Sequence, residues 1–223
     1  MPVLVIIPAA GSGSRFGGPI PKQFQPLAGK PLVQYVVERF LMTDAARIVV
    51  AIPEALLTTV KQAAGDRVQF VAGGETRQQS VIKAMSAAGD GYDVAAVHDA
   101  VRPFFRIDTF ALLIDAARQH GAALPALPIT DTIHATRDGR ISATVDRSNL
   151  VAAQTPQCFR FEILRDALTR AERETFDATD EAGLAAHYGY DVLVIPGDPY
   201  NIKITRPEDL ALAEANFEEW SRP

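Results

Sequence analysis

Between Leu4 and Gln25 the chain reads LVIIPAAGSGSRFGGPIPKQFQ: an apolar run, a glycine-rich loop carrying Arg15, then Pro21-Lys22-Gln23. The first acid is Glu38, although the average acidic content (27 of 223) would put about four before that point. Glycine lets a backbone come close to a ligand, and two cations without competing carboxylates suit a phosphate-rich one. Three glycine-loop chemistries compete here. A dinucleotide fingerprint needs a third glycine where Phe16 stands, and an acidic ribose ligand where residues 31–37 offer none. A P-loop needs Lys and a hydroxyl where Pro19 and Ile20 follow Gly18. The third pattern, Ala9-Ala10-Gly11-x-Gly13-x-Arg15 with Pro21-Lys22-Gln23 after it, remains.

Such a loop needs a scaffold. A chain of 223 residues fits one large domain; 48% hydrophobic and 22% charged residues are ordinary for a globular protein with a real core. Short apolar runs alternate with helical patterns, which predicts an α/β fold with a mainly parallel sheet. Strands are expected at Val3–Pro8, Arg47–Ile52, Val68–Val71, Val94–His98, Ala122–Leu127 and Val192–Ile195. Helices are expected at Pro31–Met42, Glu54–Ala64, Thr76–Ala88, Asp108–His120, Phe161–Glu172, Asp180–His187 and Pro207–Trp220, with Pro31 and Pro207 suited to a first helical turn. Right-handed crossovers put the loops after successive strands at one edge, where open α/β sheets bind ligands. Gly11–Gly18, Gly73-Gly74, His98-Asp99 and Asn201–Lys203 all fall at or near such strand ends.

One segment departs from the alternation. Residues Ile129 to Val145 place two β-prone runs around Asp138-Gly139, a hairpin signal. An isolated hairpin is marginal in water, so this one is expected to pack on something, most simply another copy of the chain. The formal charge of −5 argues against broad nucleic-acid binding, while a small anion needs only a local patch. Cys158 is the only cysteine, so no intrachain disulfide is possible and a reducing cytoplasm is the expected setting. The run from Val3 to Ala10 is too short to cross a membrane and lacks a basic leader, so no membrane partner is expected. None of His98, His120, His134 and His187 shows metal spacing or a nucleophile partner, and His98 reads as structural.

The first loop resembles that of the nucleotidyltransferases that join a nucleoside triphosphate to a phosphorylated acceptor and release pyrophosphate. The resemblance narrows with Ala72-Gly73-Gly74-x-x-Arg77-x-x-Ser80, His98-Asp99-Ala100-Val101-Arg102-Pro103, Val145-Asp146-Arg147, Gln154-Thr155-Pro156-Gln157, Thr179-Asp180-Glu181 and Asn201-Ile202-Lys203 through Asp209. This ordered set is similar to the 2-C-methyl-D-erythritol 4-phosphate cytidylyltransferase family and spans the chain. It implies a Rossmann-like, mainly parallel sheet flanked by helices, forming a single nucleotidyltransferase domain over residues 1–223. Residues 129–147 would be a protruding β-hairpin arm for dimerisation.

The activity the resemblance implies is cytidylyl transfer from CTP to methylerythritol phosphate, with Mg²⁺ as cofactor and a homodimer as the working form. Ribitol 5-phosphate or another alditol phosphate is the alternative acceptor. Arg15 and Lys22 would act at the α-phosphate, and the backbone of Ala9, Ala10 and Gly11 would approach the nucleotide. Gly74, Glu75 and Ser80 match the base- and ribose-recognising loop, with Glu75 where the family pattern has Asp. Asp99 would lie near the acceptor and the metal, most of the Mg²⁺ contact coming from CTP phosphates. Arg102, Thr132, Arg147, Thr155, Thr179 and Lys203 match acceptor contacts, with Arg147 and Lys203 positioning its phosphate. Because the family's arm crosses to the second subunit, Thr132, Arg147 and Thr155 would serve the partner's site. Cys158 reads as a packing residue, and Glu208 and Asp209 as acids favouring the start of the last helix.

Overall fold

The computed structural model describes residues 2–11, 16, 20–58 and 65–221. Its first strand, β1 (Val3–Pro8), shows why the N-terminal run is apolar throughout. Val3, Val5 and Ile7 enter one core, Leu4 and Ile6 the other, so both faces of the strand are buried. Two short strands, β2 (Pro26–Leu27) and β3 (Lys30–Pro31), form a small ribbon before α1 (Leu32–Leu41). Then come β4 (Arg47–Ile52), β5 (Val68–Ala72), α2 (Arg77–Ala88), β6 (Val94–Val97), α3 (Ile107–His120) and β7 (Ala122–Pro128). The arm is β8 (Ile133–Arg137) and β9 (Arg140–Val145). After it follow β10 (Val151–Ala153), β11 (Gln157–Arg160), α4 (Phe161–Glu174), α5 (Glu181–His187), β12 (Leu193–Pro196), α6 (Pro207–Ala215) and α7 (Phe217–Trp220).

Among the described residues, eight strands make one sheet in the order β5-β4-β1-β6-β11-β7-β12, with β10 also on β7. All are parallel except β10 and β11, two pieces of one interrupted segment that run against β7. Residues of α1 and α3 fill the core on one face, and residues of α2, α4 and α5 fill it on the other. The mainly parallel α/β sheet is therefore as expected. The chain runs from β1 outward to β4 and β5, then returns to β6 on the other side of β1. That reversal opens a crevice at the carboxyl ends of β1 and β6.

Several boundaries differ from the sequence expectations. Pro31 precedes α1 instead of opening it, while Pro207 does sit in the first turn of α6. From the helix expected over Glu54–Ala64, a 3₁₀ turn at Glu54–Leu56 is described, and residues 59–64 lie outside the described set. The last helix breaks at Asn216 into α6 and α7. The hairpin forms as expected: Asp138 (φ 50°) and Gly139 (φ 74°) are both left-handed, the pairing a type I′ connection requires. A bulge beyond Ala135 twists it, and nearly all its side chains are exposed.

Candidate active site

The crevice at the ends of β1 and β6 holds a cavity of about 200 Å³. Four segments form its walls: Pro8–Gly11 after β1, Lys22 and Gln23, the Gly74–Ser80 turn into α2, and Asp99–Val101 after β6. Lys203 joins them from the segment between β12 and α6. The start of the first loop is fixed from below. Gln23 is buried, and its amide donates to the carbonyls of Ala9 (2.7 Å) and Gly11 (2.8 Å). The Gln of Pro21-Lys22-Gln23 thus clamps the Ala9–Gly11 backbone, with Lys22 lining the cavity beside it.

The second loop depends on close approach. A Cβ on Gly73 would lie 2.2 Å from the Ala10 Cβ, and one on Gly74 would lie 2.3 Å from the Gln79 Cβ. The first glycine lets the two loops touch, and the second lets the turn fold onto its own helix. Thr76 caps α2 with a reciprocal pair of bonds to Gln79. The buried Ser80 hydroxyl accepts from the Gly74 N–H (3.0 Å) and donates to the Thr76 carbonyl (3.0 Å), which sets the turn's shape.

Asp99 is the electrostatic centre. Its carboxylate is almost fully buried, with Arg77 Nε 3.3 Å from Oδ1, and Arg102 Nε (3.4 Å) and Lys203 Nζ (2.9 Å) on Oδ2. Burial alone would raise its pKa, but Arg77, Lys203 and Arg102 outweigh that and hold it well below the usual carboxylate range. Arg77 also reaches Glu181, its Nη1 lying 2.7 Å from both carboxylate oxygens. Burial works against the Arg77 charge, yet Glu181 and Asp99 raise the guanidinium above the ordinary arginine value.

The segment bearing Lys203 is tied to this centre. The Ile204 N–H donates to the Val101 carbonyl (3.0 Å), Arg102 Nη1 to the Asn201 carbonyl (2.7 Å), and Asn201 Nδ2 to the Thr155 carbonyl (2.8 Å). A metal finds a poor seat here. Both Asp99 oxygens already face cations, and among the described residues no group of three His, Cys, Asp or Glu could hold an ion. Asp99 therefore does not fit the role of Mg²⁺ ligand and fits that of a cation anchor. Among the described residues, the donor set suits Mg²⁺ as an ion carried by the phosphates of a ligand.

Comparison with known proteins decides what this cleft belongs to. The profile of the 2-C-methyl-D-erythritol 4-phosphate cytidylyltransferase family matches residues 3–219. The chain belongs to that family. A relative of that name in Geobacter metallireducens is 40% identical over 229 residues, covering 98% of this chain and 99% of the relative. The crystal structure of the Thermus thermophilus cytidylyltransferase superimposes with a TM-score of 0.82 at 36% identity, covering 96% of this chain and 98% of the other. That of Francisella tularensis gives 0.85 at 30% identity, covering 96% and 99%.

In this cytidylyltransferase-family chain, Ala9, Ala10, Gly11, Lys22, Gly74, Glu75, Ser80, Asp99 and Lys203 line one cavity. Arg15 lies outside the described residues. Arg102 is buried, with its guanidinium on Asp99, Asn201 and Ala153. Thr155 is buried in its own chain's site, where the resemblance has it serving the partner: its hydroxyl lies 3.1 Å from both the Asp99 N–H and His98 Nδ1. Thr132 and Arg147 are exposed on or beside the arm, away from the cavity lining, and Arg147 donates to the Thr130 carbonyl. Thr179 is exposed just ahead of α5. The sequence reading missed Arg77, Glu181 and Gln23 as site builders. All three sit inside the quoted motifs, but nothing local signals that residues 77 and 181 meet.

Proposed function

We propose that the protein transfers a cytidylyl group from CTP to 2-C-methyl-D-erythritol 4-phosphate, giving CDP-methylerythritol and pyrophosphate. One observation carries this reading in a chain of that family: two loops, at Ala9–Gly11 and at Gly74–Ser80, meet Lys22 and Lys203 in a single cavity. A phosphate oxygen of the acceptor attacks the α-phosphorus of CTP in line, and the bond from that phosphorus to the oxygen bridging to the β-phosphate breaks. The acceptor is already an anion, so no general base is needed. The obstacle is an anion approaching a triphosphate, and the remedy is positioning with cationic stabilisation. A cation about 4 Å from a phosphate oxygen has a Coulomb energy of about 4 kcal/mol at an effective dielectric of about 20, before desolvation.

In this reading Lys22, with Arg15, neutralises charge growing on the α-phosphate. Gly74, Glu75 and Ser80 seat the nucleoside, and Lys203 moves from Asp99 to the acceptor phosphate. Mg²⁺ would be carried on triphosphate oxygens, offsetting their charge. The working form is a homodimer in the cytoplasm. Exposed apolar side chains on and around the arm and the β12 edge (Ile141, Leu150, Val151, Leu193 and Val194) support an association there. A pyrophosphate-release assay over a panel of nucleotides and alditol phosphates tests the reading. Turnover is expected with CTP and methylerythritol phosphate, and turnover only with another pair would overturn the substrate assignment.

A further inference from the structure

Arg77 opens α2 immediately after the nucleotide-facing turn, and its place is set by bonds it does not make. The Thr76–Gln79 capping pair fixes where the helix starts, and the Gly74–Ser80 bond fixes the turn before it. From this seat the guanidinium spans two carboxylates that belong to different parts of the chain. Nε meets Asp99 Oδ1 at 3.3 Å, and Nη1 meets both oxygens of Glu181 at 2.7 Å. Glu181, with 2% of its surface exposed, is the first residue of α5. The start of that helix is held a second way. Asp180 accepts from the Gly183 N–H (2.8 Å) and from Gln157 Nε2 (2.8 Å), while Gln157 Oε1 accepts from the Ala182 N–H (2.9 Å). Thr179 immediately precedes this anchored turn. Asp99, on the other side, holds Lys203 by its second oxygen.

We propose that Arg77 is a positioning residue for the acceptor side of the cleft, aligning Asp99 with its Lys203 partner and the Thr179–Glu181 turn from a rigid seat beside the nucleotide loop. The inference rests on the cytidylyl-transfer reading and deepens it. A planar fork can serve two carboxylates at once, which a lysine ammonium on the same stem cannot do in the same geometry. By taking Oδ1, Arg77 also shares the Asp99 charge that would otherwise fall wholly on Lys203 and Arg102, leaving Lys203 able to move to an incoming phosphate. The nucleotide turn keeps its own bonds when Arg77 changes, so the two substrates should respond differently.

Steady-state kinetics of Arg77→Lys and Glu181→Gln, with CTP affinity measured separately by calorimetry and folding checked by circular dichroism, provide the test. Wild-type turnover with CTP and methylerythritol phosphate is measured first. In both variants the KM for the acceptor should rise about ten- to a hundredfold, the scale of a misplaced binding group, with CTP affinity changed less than about threefold. The double variant should lose little more than the worse single one, because both changes break one link. Absence of wild-type turnover would remove the substrate reading and this inference with it. Normal wild-type turnover with equal losses for both substrates, with additive losses, or with lowered melting temperature but unchanged KM would overturn the positioning role alone.

Discussion

His98 is wholly buried between Phe40 and Phe105, and its two ring nitrogens have partners that determine its tautomer. Nε2 lies 2.9 Å from the Arg102 carbonyl, which can only accept, so Nε2 carries the hydrogen. Burial pushes the pKa down to about 3, so the ring is neutral and Nδ1 accepts from the Thr155 hydroxyl, whose oxygen in turn accepts from the Asp99 N–H. The ring thus shapes the turn that aims Asp99 without touching the cavity. Its ionisation has a measurable consequence. Unfolded, the imidazole takes a proton near its ordinary value of 6.5; folded, it resists down to about 3. Across that window the unfolded chain binds more protons, so stability present above pH 6.5 is lost as the pH falls. Denaturant unfolding should show about 1 kcal/mol less stability from this group at about pH 5.5 than at about pH 7, and a variant separates this share from that of Glu181, whose carboxyl pKa burial raises. His98→Gln should lack that share whatever its baseline stability. An identical pH dependence in variant and parent would mean that His98 is not the group concerned.

At the scale of elements, the contact between the loops after β1 and β5 explains Gly73. Its φ is not left-handed; what it lacks is room, since a Cβ there meets Ala10 at 2.2 Å and the Ser80 hydroxyl at 2.9 Å. Gly73→Ala must therefore push the loops after β1 and β5 apart. We expect a stability loss of about 1–3 kcal/mol from overpacking, and a fall in CTP affinity of about tenfold or more from the displaced loop. Unchanged CTP binding by calorimetry would show that the loops need not touch. The elements themselves were unevenly legible. β1, β4 and β6 could be read because strands buried on both faces are written as unbroken apolar runs. The arm could be read from Asp138-Gly139, whose paired left-handed conformations few other residues tolerate. β10 and β11 were invisible. Each is three or four residues long, they are separated by Pro156, and β11 includes Gln157 and Arg160, so no period of two develops. Only tertiary pairing with β6 and β7 makes them strands.

At the scale of the whole molecule, the site joins residues far apart in the chain, such as Arg77 and Glu181, and no spacing rule could pair them. Ala9–Gly11 and Lys22 could be picked out as cavity residues because they lie close together in the chain and the charge bias is local. Residues on the arm pose a different problem, since Thr132 and Arg147 lie outside the cavity that holds Lys22, Asp99 and Lys203. An exposed hairpin that, among the described residues, pairs only with itself gains little from folding alone, and the apolar side chains around it suit burial against a second copy. In a two-fold dimer, Arg147 of each arm would then complete the partner's site. Mixing unlike variants tests this without a structure of the complex. Arg147→Ala chains keep Lys22, and Lys22→Ala chains keep Arg147, so a mixed dimer contains one site with both residues and one with neither. Random reassortment makes about half the dimers mixed, so about a quarter of parental activity should return from two nearly inactive preparations. If Arg147 instead acts within its own chain, every site in every dimer lacks one cation. Verified mixed dimers would then stay as inactive as the separate variants.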